Sequence, residues 1–251
     1  VEFRDVSFRY PTSGQDILSH ISFKANRGET VAFIGATGSG KTTLVSLAAR
    51  FYDASSGQVL IDGRDIRDYS FEGLYDRIGY ITQKAVLFAG NIRDNILFGE
   101  STADSSDPSV NKAVALAQAS EFVDSLPEGL DAPVAQGGTN FSGGQKQRLS
   151  IARALARQPE ILIFDDSFSA LDYKTDAKLR VGLARELAGT TCLIVAQRIG
   201  TIRHADKIVV LDEGRAVGIG THDELMKNCP VYREIAMSQL SPEELGETGG
   251  V

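Results

Sequence analysis

The sequence predicts an α/β fold: a parallel sheet crossed by helices and interrupted by a helical stretch. Three observations predict it. Apolar runs of strand length alternate with helical segments towards both ends of the chain. Between Asn91 and about Pro159 the apolar residues fall at 3–4 spacing, with Val110, Ala113, Val114 and Ala117 on one stripe and Phe122, Val123 and Leu126 on another. After Pro159 the strand rhythm resumes. A βαβ order of this kind implies parallel strands joined by right-handed crossovers.

Taken in order, residues 1–10 alternate loosely through Val1, Phe3, Val6 and Phe8 and read as a strand. Residues 17–25 and 29–34 read as further strands, and 43–49 as a helix. Residues 57–63 read as a strand bounded by turn glycines, and 78–82 as a short apolar strand that ends at Gln83. Residues 101–108 are a polar linker. Strands follow at 161–164, 192–196, 207–211 and 216–219, with a helix over about 175–187 between the first two. Asp212-Glu213-Gly214-Arg215 is a hairpin turn. The Glu/Gly-rich tail, 241–251, reads as loose. No internal repeat is present.

Composition bounds the function. With 251 residues, 42% of them hydrophobic, the chain can bury one or two compact cores. A net charge of −7 without a strongly basic run excludes bulk attraction to nucleic acid or anionic lipid, so no nucleic-acid partner is expected. Cys192 and Cys229 are too few for a disulfide framework and lack metal spacing, and Cys192 reads as a small core residue. His20, His204 and His222 are scattered. The sequence has no run of 18 apolar residues and no signal peptide. It starts at Val1, inside a strand and without Met, and so reads as a piece of a longer polypeptide.

Chemistry begins at Gly35-Ala36-Thr37-Gly38-Ser39-Gly40-Lys41-Thr42, a complete G-x-x-x-x-G-K-[ST] loop between a strand and a helix. Glycines let the backbone curl until successive N–H groups face a polyphosphate, and the helix N-terminus adds partial positive charge. Gly35, Thr37, Gly38, Ser39, Gly40, Lys41, Thr42 and Thr43 are therefore candidate phosphate-binding residues. Lys41 can reach the terminal phosphates, and the Thr42 hydroxyl can ligate Mg²⁺. ATP and Mg²⁺ are the expected ligands.

A second motif, Ile161-Leu162-Ile163-Phe164-Asp165-Asp166, is an apolar strand ending in two carboxylates. In phosphate-loop enzymes an Asp in this place holds Mg²⁺, usually through water, and Asp165 suits that role. A third, Phe141-Ser142-Gly143-Gly144-Gln145-Lys146-Gln147-Arg148, resembles the L-S-G-G-Q signature of the ABC family. Small residues and free N–H groups at a helix start suit Ser142, Gly143, Gly144 and Gln145 to meet a γ-phosphate.

From end to end the chain resembles an ABC nucleotide-binding domain. The resemblance implies a P-loop NTPase, RecA-like, parallel-sheet core, with an antiparallel β subdomain and an inserted α-helical subdomain. Within one domain spanning 1–251, it places the core and β subdomain at about 1–88 and 159–240 and the helical subdomain at about 89–158. Tyr10 matches the aromatic that stacks on adenine. Gln83 matches the glutamine that reaches Mg²⁺ and water and links to the membrane domain. Asp172, in Ser169-Ala170-Leu171-Asp172, matches the D-loop. Residues 85–96 resemble the exporter form, of the multidrug and peptide type. The resemblance also implies a second ABC domain as partner, a transmembrane domain outside this chain, and a place on the cytoplasmic face of a membrane.

Two catalytic positions depart from the family pattern. Asp166 stands where Glu usually polarises the attacking water, and Gln197 where His usually contacts the γ-phosphate. Asp is shorter by roughly 1.5 Å, one C–C bond, and a misplacement of about 1 Å can cost ~10²-fold in rate. Gln197 can hydrogen-bond a phosphate oxygen but carries no charge at any pH. Both changes spare binding and weaken hydrolysis, so the site reads as degenerate. With phosphate loop and signature intact, the domain reads as one half of a heterodimeric exporter whose signature completes the partner's site. Gln136-Gly137-Gly138 replaces the Glu-Arg-Gly coupling segment common in exporters. Two other readings stay open: a fully active homodimeric exporter domain, and a soluble ABC ATPase of DNA repair or translation. The soluble type usually carries long coiled coils or two ABC units, and neither occurs here.

Overall fold

The structure is a computed structural model that describes residues 1–99 and 107–240. Most of the polar linker and all of the tail expected from sequence lie outside these residues. The chain divides into two compact units, Val1–Leu74 with Thr191–Val251 in the first and Tyr75–Thr190 in the second.

The first unit opens with β1 (Glu2–Phe8), β2 (Leu18–Lys24), β3 (Thr30–Ile34), α1 (Lys41–Ala48), β4 (Ser56–Ile61) and β5 (Arg64–Asp65). α2 (Phe71–Tyr75) crosses the division in the chain. β2-β1-β4-β5 form an antiparallel sheet. Asp62 and Gly63, at φ 52° and 78°, turn β4 into β5, a conformation Asp and Gly tolerate best. The sheet's inner face carries Phe3, which stacks on Phe23 with centroids 4.7 Å apart. Phe23 meets Phe33 of β3 edge-on at 5.2 Å. Full burial of one such side chain contributes roughly 1.5–3 kcal/mol.

The second unit holds β6 (Ile78–Ile81), β7 (Gly90–Asn91), α3 (Ile92–Ile96), α4 (Asp107–Leu116), α5 (Ser120–Asp124), β8 (Pro133–Val134), α6 (Gly143–Ala156), β9 (Ile161–Asp165) and α7 (Tyr173–Glu186). β6 and β9 are parallel, with Ile81 opposite Phe164. α6 packs against α3, α4 and β6. One polar knot fastens it. Arg153 donates from Nε to the Asn95 carbonyl at 2.7 Å and from Nη2 to Asn95 Oδ1 at 2.9 Å. Asn95, itself buried, bonds both backbone groups of Phe88. Burial holds the Arg153 guanidinium below its usual pKa. The stretch read as helical from 91 to 159 also contains the β7–β8 ladder. Two-residue strands carry no periodicity by which a sequence could announce them.

The first unit resumes with β10 (Thr191–Val195), α8 (Ile199–Ile202), β11 (Lys207–Asp212), β12 (Arg215–Gly220), α9 (His222–Asn228) and α10 (Pro230–Gln239). β10 and β11 flank β3 in parallel. With partners on both sides, Val31, Ala32 and Phe33 are completely buried, which is why β3 reads as an unbroken apolar run. β12 pairs antiparallel with β11 across Glu213 and Gly214, both at positive φ, as the hairpin signal predicts.

Candidate functional site

In the first unit the phosphate loop leaves β3 and ends at α1. Gly35 passes so close to β11 that a Cβ would sit 2.0 Å from the Leu211 carbonyl oxygen, so no other residue fits. Gly40 caps α1 at φ 100°, in the left-handed region that glycine enters without strain. No side chain caps α1 there, which leaves its first N–H groups to the loop. Thr37, Gly38 and Thr42 are exposed, while Ser39 is buried. Lys41 Nζ arches back over the loop and donates to the carbonyls of Gly35 and Ala36, each at 2.8 Å, and to Ser39 Oγ at 3.4 Å. The ammonium is thus held where the loop curls.

Tyr10 belongs to the same surface. Its hydroxyl lies 3.0 Å from Thr43 Oγ1. Its ring meets Phe8 and Tyr52 edge-on at 4.8 and 5.2 Å. Gln197 follows β10, whose Val195 pairs with Phe33 in register, and Ala196 donates to the Phe33 carbonyl. Gly35 and Gln197 therefore leave neighbouring parallel strands at the same edge. Gln197 is exposed there.

In the second unit, Gln83 and Asp166 each lie two residues beyond a paired position, Ile81 opposite Phe164. That register brings them together: Gln83 Nε2 donates to Asp166 Oδ2 at 2.9 Å. Asp165 is buried and accepts from the Tyr80 hydroxyl at 3.0 Å. Asp166 sits at φ 49° and turns the chain into the one-turn helix Ser167–Ala170, with its carbonyl accepting from Ser169 Oγ. Neighbouring Ser167 is fully buried, and its hydroxyl has no hydrogen-bond partner among the described residues.

The signature starts α6. Ser142 caps it, accepting from the Gln145 N–H, while Gln145 Oε1 accepts from the Ser142 N–H at 2.9 Å. This reciprocal capping box fixes the glycines between them. Ser142 and Gly143 are exposed, and a Cβ on Gly143 would meet nothing within 4 Å. Asp172 caps α7 by accepting from Thr175 N–H and Oγ1–H, which holds its carboxyl below the usual range. Gln136–Gly138 forms a single turn with Gly137 and Gly138 both at positive φ. Sequence reasoning missed Tyr80, whose position one residue before the strand end was the available signal, and Tyr52.

A family model described as ABC transporter matches residues 18–169. The chain belongs to the ABC transporter family. An uncharacterized ABC transporter ATP-binding protein of Mycobacterium tuberculosis is 44% identical over 250 residues, which cover 99% of this chain and 43% of that protein. The putative multidrug export ATP-binding/permease protein YgaD of Bacillus subtilis is 45% identical over 235 residues, covering 94% and 40%. A solved structure, a bacterial Atm1-family ABC exporter with ATP bound, matches with a TM-score of 0.89 at 37% identity, covering 94% of this chain and 41% of that one. The ABC chain spans about two-fifths of the length of these relatives. Among its described residues no helix is long and apolar enough to cross a membrane. The ABC transporter ATP-binding domain thus has the α/β fold that its sequence predicts, with a parallel-sheet core and an antiparallel sheet.

Proposed function

We propose that this chain is the ATP-binding motor domain of an ABC exporter, lying on the cytoplasmic face of a membrane. Its own site hydrolyses slowly, and its signature completes the site of a different partner subunit. The exporter reading draws on the relatives, whose names include a multidrug export protein and an Atm1-family exporter. The observation that carries the slow-site reading is the Gln83–Asp166 hydrogen bond, in which an aspartate occupies the water-polarising position of the family.

Each unit supplies groups that fit Mg-ATP. Backbone N–H groups, one ammonium, a Thr hydroxyl, an amide and a carboxylate are hard groups suited to phosphate and Mg²⁺. Tyr10 stacks on the adenine, with its hydroxyl anchored on Thr43. The loop N–H groups and Lys41 hold the phosphates. Thr42, Gln83 and Asp165 hold Mg²⁺, the Asp usually through water. Mg²⁺, when bound, would supply positive charge to offset that of the phosphates. Asp166 orients the attacking water, and Gln197 donates to the γ-phosphate. Ser142, Gly143, Gly144, Gln145 and Asp172 serve the nucleotide of the partner. The core and β subdomain at about 1–88 and 159–240 carry the site, and the helical subdomain at about 89–158 presents the signature.

Release of labelled phosphate by the assembled transporter tests this reading, with Lys41 and the corresponding lysine of the partner replaced in turn. The partner's replacement should abolish turnover, whereas Lys41→Ala should lower it modestly. Equal loss from both would point to a fully active homodimer-like pair.

A further inference from the structure

α10 ends on the segment that carries Gln197. It buries Tyr232 and Ala236 completely, and Gln239 continues the same helical stripe. The Gln239 amide grips both sides of Arg198. Its Nε2 donates to the Gln197 carbonyl at 2.8 Å, and its Oε1 accepts from the Ile199 N–H at 2.8 Å.

The second bond meets a local need. α8 is one turn long, and its N-cap residue, Arg198, makes no side-chain cap. The first N–H groups of a helix need an acceptor from outside it. Ser142 gives one to α6 and Thr221 gives one to α9, each from the N-cap position. For α8 the acceptor comes from Gln239, 40 residues along the chain. An amide offers both a donor and an acceptor from one rigid plane. Glutamate would keep the bond to Ile199 but would set a charged acceptor against the Gln197 carbonyl.

We propose that Gln239 is a positioning residue for the nucleotide site. It fixes the backbone on both sides of Arg198, so that the Gln197 side chain stays directed at the γ-phosphate. Through it α10 sets the state of that segment. The proposal rests on the reading of Gln197 given above.

The test compares Gln239→Ala, Gln239→Glu, Gln197→Ala and the double alanine variant in the intact protein. Two quantities are measured: hydrogen exchange at the Ile199 amide, and the ratio of ATP to ADP affinity. Gln239→Ala should speed exchange about 3- to 10-fold, the scale of one lost hydrogen bond. It should lower the ATP-to-ADP affinity ratio as far as Gln197→Ala does and leave ADP affinity unchanged, with no further loss in the double variant. Gln239→Glu should keep the slow exchange yet lower the ratio. A merely structural role would weaken ATP and ADP alike. Unchanged exchange in Gln239→Ala would overturn the clamp. Faster exchange with an unchanged ratio, where Gln197→Ala lowers it, would overturn the positioning role alone. A ratio untouched by Gln197→Ala as well would overturn the assignment of Gln197, and this proposal with it.

Discussion

Gln83 and Asp166 are held 2.9 Å apart because each stands two residues beyond a paired position of parallel neighbours, Ile81 and Phe164. Strand register thus sets the distance between a carboxylate and an amide that are far apart in sequence. The carboxylate is buried and fixed, so lengthening it by one methylene moves its oxygens outward rather than letting them swing. On the proposed slow-site reading, Asp166→Glu combined with Gln197→His should raise hydrolysis at this site of the assembled transporter. The expected gain is up to ~10²-fold, the rate that about 1 Å of misplacement costs. The gain requires an intact partner signature. No gain opposite such a signature, by single-turnover phosphate release, would acquit both substitutions.

Tyr10 offers a second check. Its ring is braced by Phe8 and Tyr52, and its hydroxyl meets Thr43. Tyr10→Ala should weaken ATP binding by roughly 1–3 kcal/mol, the scale of base–aromatic stacking. Tyr10→Phe keeps the ring and loses only the partly buried hydroxyl contact, about 0.5–1.5 kcal/mol at most. Calorimetry that finds Tyr10→Ala as tight as the parent would remove Tyr10 from the site.

Legibility in the sequence followed physical cause. The phosphate loop and its strand were readable because close backbone approach admits only glycine at Gly35 and burial on both faces makes β3 apolar throughout. The 212–215 hairpin was readable because only certain residues accept two successive positive φ angles. Sequence reasoning missed α9 and α10, although α10 repeats buried Tyr232 and Ala236 at helical spacing. Their legible signals are the caps: Thr221 and Glu224 form a capping box, and Pro230 starts the next helix. The Gln239 clamp was invisible, because a hydrogen bond between residues 40 apart leaves no local pattern. The bonds of Tyr80 to Asp165 and of Gln83 to Asp166 depend on register in the same way.

Ser167 yields a stability prediction. Its hydroxyl is buried, without a partner among the described residues, directly after Asp165 and Asp166. An unmet buried hydroxyl costs about 1–3 kcal/mol. Ser167→Ala should therefore stabilise the protein by about 1 kcal/mol, or roughly 2–4 °C in Tm at this chain length. A lower Tm by calorimetry would mean that the hydroxyl is satisfied.

His222 yields a pH dependence. Its Nδ1 lies 2.7 Å from the hydroxyl of fully buried Tyr232, and burial lowers its pKa below the ordinary 6.5. Asp223 opposes this shift, while Arg203 and His204 add to it. The unfolded chain therefore takes up the proton first. Stability from this group is complete above pH 6.5 and declines as pH falls below that value through the lower, folded-state pKa. The parent Tm should drop from pH 6.5 towards 5 by more than that of His222→Gln, which keeps an acceptor for Tyr232 and does not titrate. Parallel Tm curves for the two proteins would contradict this.

Lys41 and Gly143 should respond unequally to mutation. On the proposed reading Lys41 serves a slow site, so Lys41→Ala should lower steady-state ATPase of the assembled transporter only modestly. Gly143 stands at the first helical position of α6, exposed, with open space where the first carbon of a side chain would sit. The Cβ of an aspartate there meets nothing within 4 Å among the described residues, and a negative charge in the first turn suits the helix dipole. Gly143→Asp should therefore leave folding and ATP binding by this chain intact. On the proposed reading its harm falls on the partner's nucleotide, where the carboxylate would crowd and repel the γ-phosphate, so turnover and transport should nearly vanish. Comparing the ATPase of the two heterodimers, with Tm as a control for folding, separates the readings. If Lys41→Ala proves the more damaging, this domain's own site is the working one and the assignment of the strong site to the partner is wrong.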